Sequence, residues 1–214
     1  MLVVGIDEAG RGPVIGPLVL AAVWVDSPAG LRALRRLGVR DSKALRAQQR
    51  DRLAGAIGRG AAHREIEVAT AATVDAYALR GDLNVLERRM AEAMLVRGPA
   101  AARIVADGAR LFGPLRASYP HLRARDRADA THGAVAAASI LAKVERDRAF
   151  LGLASRCGDL AETARCGMGY VNALTARFLC AYHARHQRLP PGTRLSWDWE
   201  PLRRLLDSQL DLPL

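Results

Sequence analysis

Residues 5 to 12 read Gly-Ile-Asp-Glu-Ala-Gly-Arg-Gly, two adjacent carboxylates followed at once by a glycine–arginine–glycine turn. Carboxylate oxygens are the ligands that a hard cation such as Mg²⁺ or Mn²⁺ takes. Glycines, having no Cβ, let a backbone come close to a sugar-phosphate, and the forked guanidinium of Arg11 matches a phosphate. Metal-binding and phosphate-approaching groups therefore meet within one short segment. Two more acids stand where an element ends or begins: Asp107 before Gly108, and Asp129 after Arg123, Arg125 and Arg127. The spacing Gly10-x-Gly12-x-x-x-Gly16 lacks the dinucleotide fingerprint and leads into a strand-like run, which argues against a nucleotide-binding module.

The elements that carry these residues follow from the hydrophobic pattern. Leu2, Val3, Val4 and Ile6 suit a buried strand that the turn at Gly10 ends, so Asp7 and Glu8 sit at a strand end. Neighbouring side chains on a strand point to opposite faces, so both acids serve one centre only where the strand is bulged or ending. Residues 17–25 and 63–69 read as two further strands, and the three form an antiparallel meander with tight connections. A helix is expected from Ser42, capped by Asp41 or Ser42, with its N-terminal N–H groups open to a phosphate. Helical spacing recurs over 74–79 and 83–96, where Leu83, Leu86, Met90 and Met94 are core positions. Residues 103–106 form a strand ending in Asp107, and 118–123 a further one. Over 131–153 the small residues from Ala134 to Ser139 make a helix that can pack closely on a sheet, with Asp129 just before it. Helices over 173–187 and 194–206 follow, separated by Pro190-Pro191-Gly192. A meander followed by alternating strands and helices gives an α/β domain with a mixed sheet.

The formal net charge of +10 and a sequence pI of about 10.6 call for a large anionic partner, nucleic acid first. A membrane is not indicated: the longest apolar run, 14–25, is interrupted by Gly16 and Pro17 and falls short of the ~20 residues of a spanning helix. No signal peptide is read, and Cys157, Cys166 and Cys180 are odd in number without a paired spacing. A monomeric cytoplasmic protein with reduced thiols is the expectation. Of the 32 lysines and arginines only Lys43 and Lys143 are lysines, and a compact ammonium binds phosphate as a point charge where a planar guanidinium does not fit.

Four segments occur in one order: Gly-Ile-Asp-Glu-Ala-Gly-Arg-Gly-Pro from residue 5, Asp41-Ser42-Lys43, Asp107-Gly108 after a strand, and Ala-Ala-Ala-Ser-Ile-Leu-Ala-Lys-Val at 136–144. Together they closely resemble ribonuclease HII, over residues 1 to about 200. Gly167-Met168-Gly169-Tyr170 and Arg194-Leu195-Ser196-Trp197 look like the archaeal branch of that family. The resemblance implies a ribonuclease H-like mixed five-stranded sheet, three antiparallel strands and then parallel ones, flanked by helices. Residues 1–190 would form the catalytic domain and 191–208 a C-terminal helical extension. It also implies an endonuclease that cuts the RNA strand of RNA–DNA hybrids and cuts 5′ of single ribonucleotides in duplex DNA, as in ribonucleotide excision repair and DNA replication. The acids carried over are Asp7, Glu8, Asp107 and Asp129, holding two divalent ions, Mn²⁺ or Mg²⁺, and leaving 5′-phosphate and 3′-hydroxyl ends. Gly10, Arg11 and Gly12 would read the 2′-hydroxyl, Lys43 would hold a phosphate, and Tyr170 would support the ribose-to-deoxyribose junction.

The last residues, 209–214, resemble instead the short flexible peptide by which bacterial replication proteins bind the sliding clamp, with Gln209, Leu210, Leu212 and Leu214 as its contacts. A non-catalytic hybrid-binding module is the alternative reading, and the presence of all four acids weighs against it.

Overall fold

The computed structural model describes residues 1–26, 28–39 and 45–210, the side chains of 208–210 excepted. Among these residues the chain forms a five-stranded sheet in the order β3-β2-β1-β4-β5. Strand β1, Val3–Ala9, is the strand predicted from its apolar run, and it continues past both acids. It pairs antiparallel with β2, Leu18–Val25, and parallel with β4, Arg103–Asp107, which pairs parallel with β5, Leu122–Arg125. The sheet is therefore mixed, as expected. Strand β2 is buried at every position, which is what an unbroken apolar run means for a strand covered on both faces.

Strand β3, His63–Ala69, lies beside β2, but no tight turn joins them. Two helices intervene, α1 over Pro28–Arg36 and α2 over Ala47–Gly60. Helix α2 begins after the expected start at Ser42: its first turn is closed by Arg46 and Gln49, whose Oε1 accepts from the Arg46 N–H at 2.9 Å. The expected Asp41-Ser42 cap and Lys43 lie outside the described residues. Helices α3, Ala71–Ala78, and α4, Leu83–Arg97, match the periodicity, and Leu86, Met90 and Met94 are buried.

After β4 come a short helix α5, Ala109–Phe112, and a 3₁₀ turn, Gly113–Ala117, so β5 starts at Leu122 and not at 118. Pro120 explains the shift, since it has no N–H for a ladder and sits in the turn that the Leu122 N–H closes on the Tyr119 carbonyl. The helix expected from 131 is two: α6, Ala128–Thr131, and α7, Gly133–Ala154, separated by His132 in extended conformation. Helices α8, Ala161–Gly167, and α9, Ala173–His186, follow, the latter capped by Asn172. The last helix, α10, covers Glu200–Leu210; the expected start at Arg194 fails because residues 194–197 are held in loop hydrogen bonds. No helix among the described residues is long and apolar enough to cross a membrane.

The chain gathers into two compact units, residues 1–9, 19–68 and 83–145 in the first and 10–18, 69–82 and 146–214 in the second. The first unit's core sets Val19, Ala21 and Val23 of β2 against Ala134, Ala137, Ala138 and Ile140 of α7. Gly5 shows how close α7 lies on β1: a Cβ there would sit 2.2 Å from the backbone carbon of Ala134 and 2.3 Å from the nitrogen of Val135. Small side chains on the helix and none on the strand allow this approach, which brings Ser139 of α7 to Asp7. The second unit has its own core, in which Val14 and Ile15 meet Phe150, Phe178, Leu179, Tyr182 and Leu202.

Candidate active site

In the first unit the register of β1 on β4 ends at Ile6 beside Ala106, so Asp7 and Asp107 occupy the next rung of adjacent strands, ~4.8 Å apart in the pairing direction and on one face. Asp7 is 4% exposed. Burial raises its pKa well above the usual carboxylate range, the negative charges of Glu8 and Asp107 add to the rise, and hydrogen bonds from the Glu8 N–H and from Ser139 only partly oppose it. This is the mark of a buried carboxylate in a cluster of its own sign.

Glu8 does not turn by a bulge. The β1–β2 ladder runs unbroken through Glu8 opposite Leu20 and Ala9 opposite Val19, so alternation sends its Cβ to the face away from Asp7 while its N–H donates to Asp7 Oδ1 at 2.8 Å. Asp107 ends β4, and its Oδ1 accepts from the Ala128 N–H at 2.6 Å. That bond ties the start of α6 to β4 and brings the next residue, the buried Asp129, to the same rim. Gly108, at φ 96°, supplies the left-handed turn that lets the chain leave β4 at once, and Asp126 Oδ1 accepts from the Ala109 N–H at 2.7 Å to hold it. Asp126, which sequence reasoning did not single out, is thus a structural acid among candidate catalytic ones.

The glycine–arginine–glycine turn belongs to the second unit. Gly10 has φ 92°, and a Cβ there would lie 2.4 Å from the Pro17 carbonyl oxygen, so only glycine fits. The fully buried Arg194 reaches this turn with its whole fork: Nε donates to Gly16 O at 3.0 Å, Nη1 to Arg11 O at 3.0 Å and Nη2 to Gly10 O at 2.6 Å. Its guanidinium lies over the Trp197 ring, and Trp197 Nε1 donates to Gly12 O at 3.1 Å. The carbonyls of Gly10, Arg11 and Gly12 are therefore tied back together. In a trans peptide the N–H points away from the C=O, so the N–H groups of Arg11 and Gly12 are aimed away from Arg194.

A second buried arginine holds Tyr170 in the same unit. Arg146 Nη2 donates to Met168 O at 2.6 Å and Nη1 to Asp147, and its guanidinium lies 4.6 Å from the centre of the Tyr170 ring. Tyr170 is half-buried in the turn between α8 and α9. The Gly169 carbonyl accepts from the N–H groups of Val14 and Ile15, which fixes this turn to the chain that leaves Gly12. Of the remaining expected residues, Gln209 and Leu210 lie in the last turn of α10, and Lys43, Leu212 and Leu214 lie outside the described residues. Neither Arg146 nor Arg194 was readable as functional on composition in so arginine-rich a chain; only the short segments containing or preceding them drew attention.

Among the described residues no three His, Cys, Asp or Glu side chains are placed together so as to hold a metal ion. Asp7 beside Asp107, at the ends of adjacent parallel strands, offers two carboxylates of the oxygen type that Mg²⁺ and Mn²⁺ accept, where waters and a substrate phosphate can complete the shell, while the Glu8 Cβ leaves on the opposite face. The like-charge repulsion at Asp7 is what a divalent cation would relieve.

Three comparisons bear on this arrangement. The family model for ribonuclease HII matches residues 4–199. The ribonuclease HII of Pyrococcus furiosus is 36% identical over 218 aligned positions, covering 97% of this chain and 92% of that protein. Among solved structures, the ribonuclease H2 of Pyrococcus horikoshii superposes with a TM-score of 0.82 at 31% identity, covering 99% of this chain and all of the other. The RNase HII of Archaeoglobus fulgidus, solved as a complex with PCNA, gives 0.81 at 32% identity, with 94% and 96% of the two chains covered.

The acid cluster has a measurable signature. A carboxylate whose folded pKa lies above its unfolded value near 3.8 binds more protons when folded, so metal-free stability falls as pH rises from that value through the raised one. Mg²⁺ or Mn²⁺ should raise Tm more at neutral pH than at pH values near 4. Asp7→Asn should raise the metal-free Tm at neutral pH by a few degrees, at ~2–4 °C per kcal/mol for a chain of this size, and remove most of the cation response. Thermal melts across pH, with and without the cation, read both effects.

Proposed function

The chain belongs to the ribonuclease HII family and is a metal-dependent endoribonuclease, and we propose that it hydrolyses the RNA strand of RNA–DNA hybrids and cuts on the 5′ side of single ribonucleotides in duplex DNA. The observation that carries this reading is the placement of Asp7 and Asp107 one residue beyond the last paired rung of two parallel strands, with the Asp107 carboxylate holding the helix that bears Asp129. Asp7, Asp107, Asp129 and Glu8 would hold two divalent ions, Mg²⁺ or Mn²⁺. Such ions, when bound, activate a water on one side of the scissile phosphate and stabilise the leaving oxygen on the other, giving 5′-phosphate and 3′-hydroxyl ends. No protein nucleophile is needed.

The ribose is read by the turn. The N–H groups of Arg11 and Gly12, on the two peptides whose carbonyls Arg194 holds, offer donors to a 2′-hydroxyl oxygen, which deoxyribose lacks. The Tyr170 ring, backed by Arg146, offers a flat apolar face to the sugar that follows. Lys43 would steady a neighbouring phosphate. The alternative of a binding module without catalysis is favoured by none of these features.

Asp7→Asn and Asp107→Asn should each lower cleavage of a duplex carrying one ribonucleotide by at least about a thousandfold, as expected when a group stabilising charge in the transition state is lost. Duplex binding should persist, and end-mapping of the wild-type products in Mg²⁺ and in Mn²⁺ should place the cut 5′ of the ribonucleotide. Full activity of either variant would sink the site assignment. Arg194→Lys, which cannot span three carbonyls from one nitrogen, should lower discrimination between ribose and 2′-deoxy-2′-fluororibose by about tenfold or more while the cation-induced rise in Tm persists. An unchanged discrimination ratio would remove the turn from ribose reading.

The relative from Archaeoglobus fulgidus was solved with PCNA, and a sliding clamp is the proposed partner here too. Residues 209–214 are the proposed clamp peptide. Their deletion should leave hybrid cleavage unchanged and abolish retention of the protein by an immobilised bacterial clamp; equal retention with and without them would end this assignment.

A further inference from the structure

A cavity of about 520 Å³ opens in the first unit where strands β4 and β5 meet the flank of α6. Its floor follows from the register. Val105 pairs with Arg123 and Asp107 with Arg125, so Arg103, Val105, Arg123 and Arg125 all stand on one face of the two strands. Ala128, Thr131 and His132 wall it on the α6 side, and His121 stands at the beginning of β5.

The chemistry of this cavity is one-sided. Arg103, Arg123 and Arg125 are exposed, and no ion pair among the described residues engages them. Arg35 of α1 reaches the same wall, its Nη2 donating to Thr131 O at 3.0 Å. His132 Nδ1 is buried without a hydrogen-bond partner among the described residues. Burial first, and then the charges of Arg103, Arg35 and Arg125, hold its pKa below the usual imidazole range, which is what an uncompensated positive field does to a neutral base. Planar guanidinium forks converging on a concave surface match the oxygens of a phosphoryl group. Val105, Ala102 and Ala128 leave an apolar floor for what the phosphoryl group is attached to, and the volume lies in the range of sites that hold small ligands.

We propose that this cavity is a second phosphate-binding subsite, taking a nucleotide-borne phosphoryl group that is not the one cleaved. Arg103 and Arg123 clamp its oxygens, His132 accepts or donates one further hydrogen bond, and the apolar floor receives the sugar. Arg103 stands four residues from Asp107 along β4, ~13 Å at ~3.3 Å per residue. That is about four nucleotides of one strand at ~3.4 Å of rise each, so the backbone of a bound hybrid is the source of phosphate to which the spacing points. A free mononucleotide carries the same chemistry. The source rests on the nuclease reading; the site does not.

The test reads His132 by NMR without divalent metal, so nothing is cleaved, with His132→Gln assigning its signal. The probes are adenosine 5′-monophosphate, a long hybrid, and a hybrid trimmed to fewer than ~four nucleotides on each side of the cut position. The His132 signal should move saturably with the long hybrid and stay still with the trimmed one, and Arg103→Gln/Arg123→Gln should abolish the movement. With Mg²⁺ present, that double variant should raise KM for the long hybrid about tenfold at unchanged kcat and lower the slope of log KM against log salt by about one for each phosphate no longer neutralised. Movement with the mononucleotide alone, with equal KM for both hybrids, supports the subsite with a free nucleotide as its source. No movement with any probe, in protein whose melt matches the wild type, overturns it. That result leaves the nuclease reading standing, and loss of cleavage by Asp7→Asn leaves the subsite standing.

Discussion

A carboxylate taken out of water and set beside two others is an arrangement a folded chain does not keep without support, and the first unit is built around keeping one. Asp7 sits on a central strand under α7, so its charge can be neither hydrated nor moved aside. What holds it there is packing. The bare backbone of Gly5 lets the small side chains of α7 settle onto β1, and the hydrogen bonds from Ser139 and the Glu8 N–H recover part of the lost solvation. The remaining electrostatic strain is what a divalent cation bound beside Asp7 would relieve.

The second unit solves the opposite problem with positive charge. Arg194 and Arg146 are fully buried, and backbone carbonyls take most of the partner role that carboxylates usually fill. A guanidinium bound to carbonyls keeps its charge and organises peptide planes. In the segment from Gly10 to Gly16 this fixes which edge of the backbone is presented, using no side chain of the turn itself. Aromatic rings lie against the guanidinium groups as well, Trp197 on Arg194 and Tyr170 and Phe150 on Arg146.

The parts of this architecture visible in the sequence are those set by local pattern. Strands β1, β2 and β4 and helices α3, α4 and α9 announce themselves through apolar runs or helical spacing, and three of the four candidate acids, Asp7, Glu8 and Asp107, lie toward the ends of β1 and β4. Helix α1 is less visible, being nine residues long with only Leu31 and Leu34, at i and i+3, set on the core. The break at His132 is equally silent, since nothing in Ala-Thr-His-Gly-Ala forbids a continuous helix. Pairing is a further level: Asp7 and Asp107 are a hundred residues apart, and only the parallel register makes them neighbours. Which face Glu8 takes depended on the ladder continuing to Ala9, and that is settled by β2. The arginine forks were hidden by abundance, because a residue type that is everywhere carries no signal.

Helix α10 continues through Gln209 and Leu210, two residues of the proposed clamp peptide. Peptides that insert side chains into an apolar groove in extended form cannot keep helical hydrogen bonds, so those two residues would have to leave the helix on docking. Clamp recruitment would then draw on the same free energy that winds the last helical turn. Attachment to a clamp through this peptide would be, in that sense, a local unfolding equilibrium, and changes that stiffen α10 far from any clamp contact would loosen the tether.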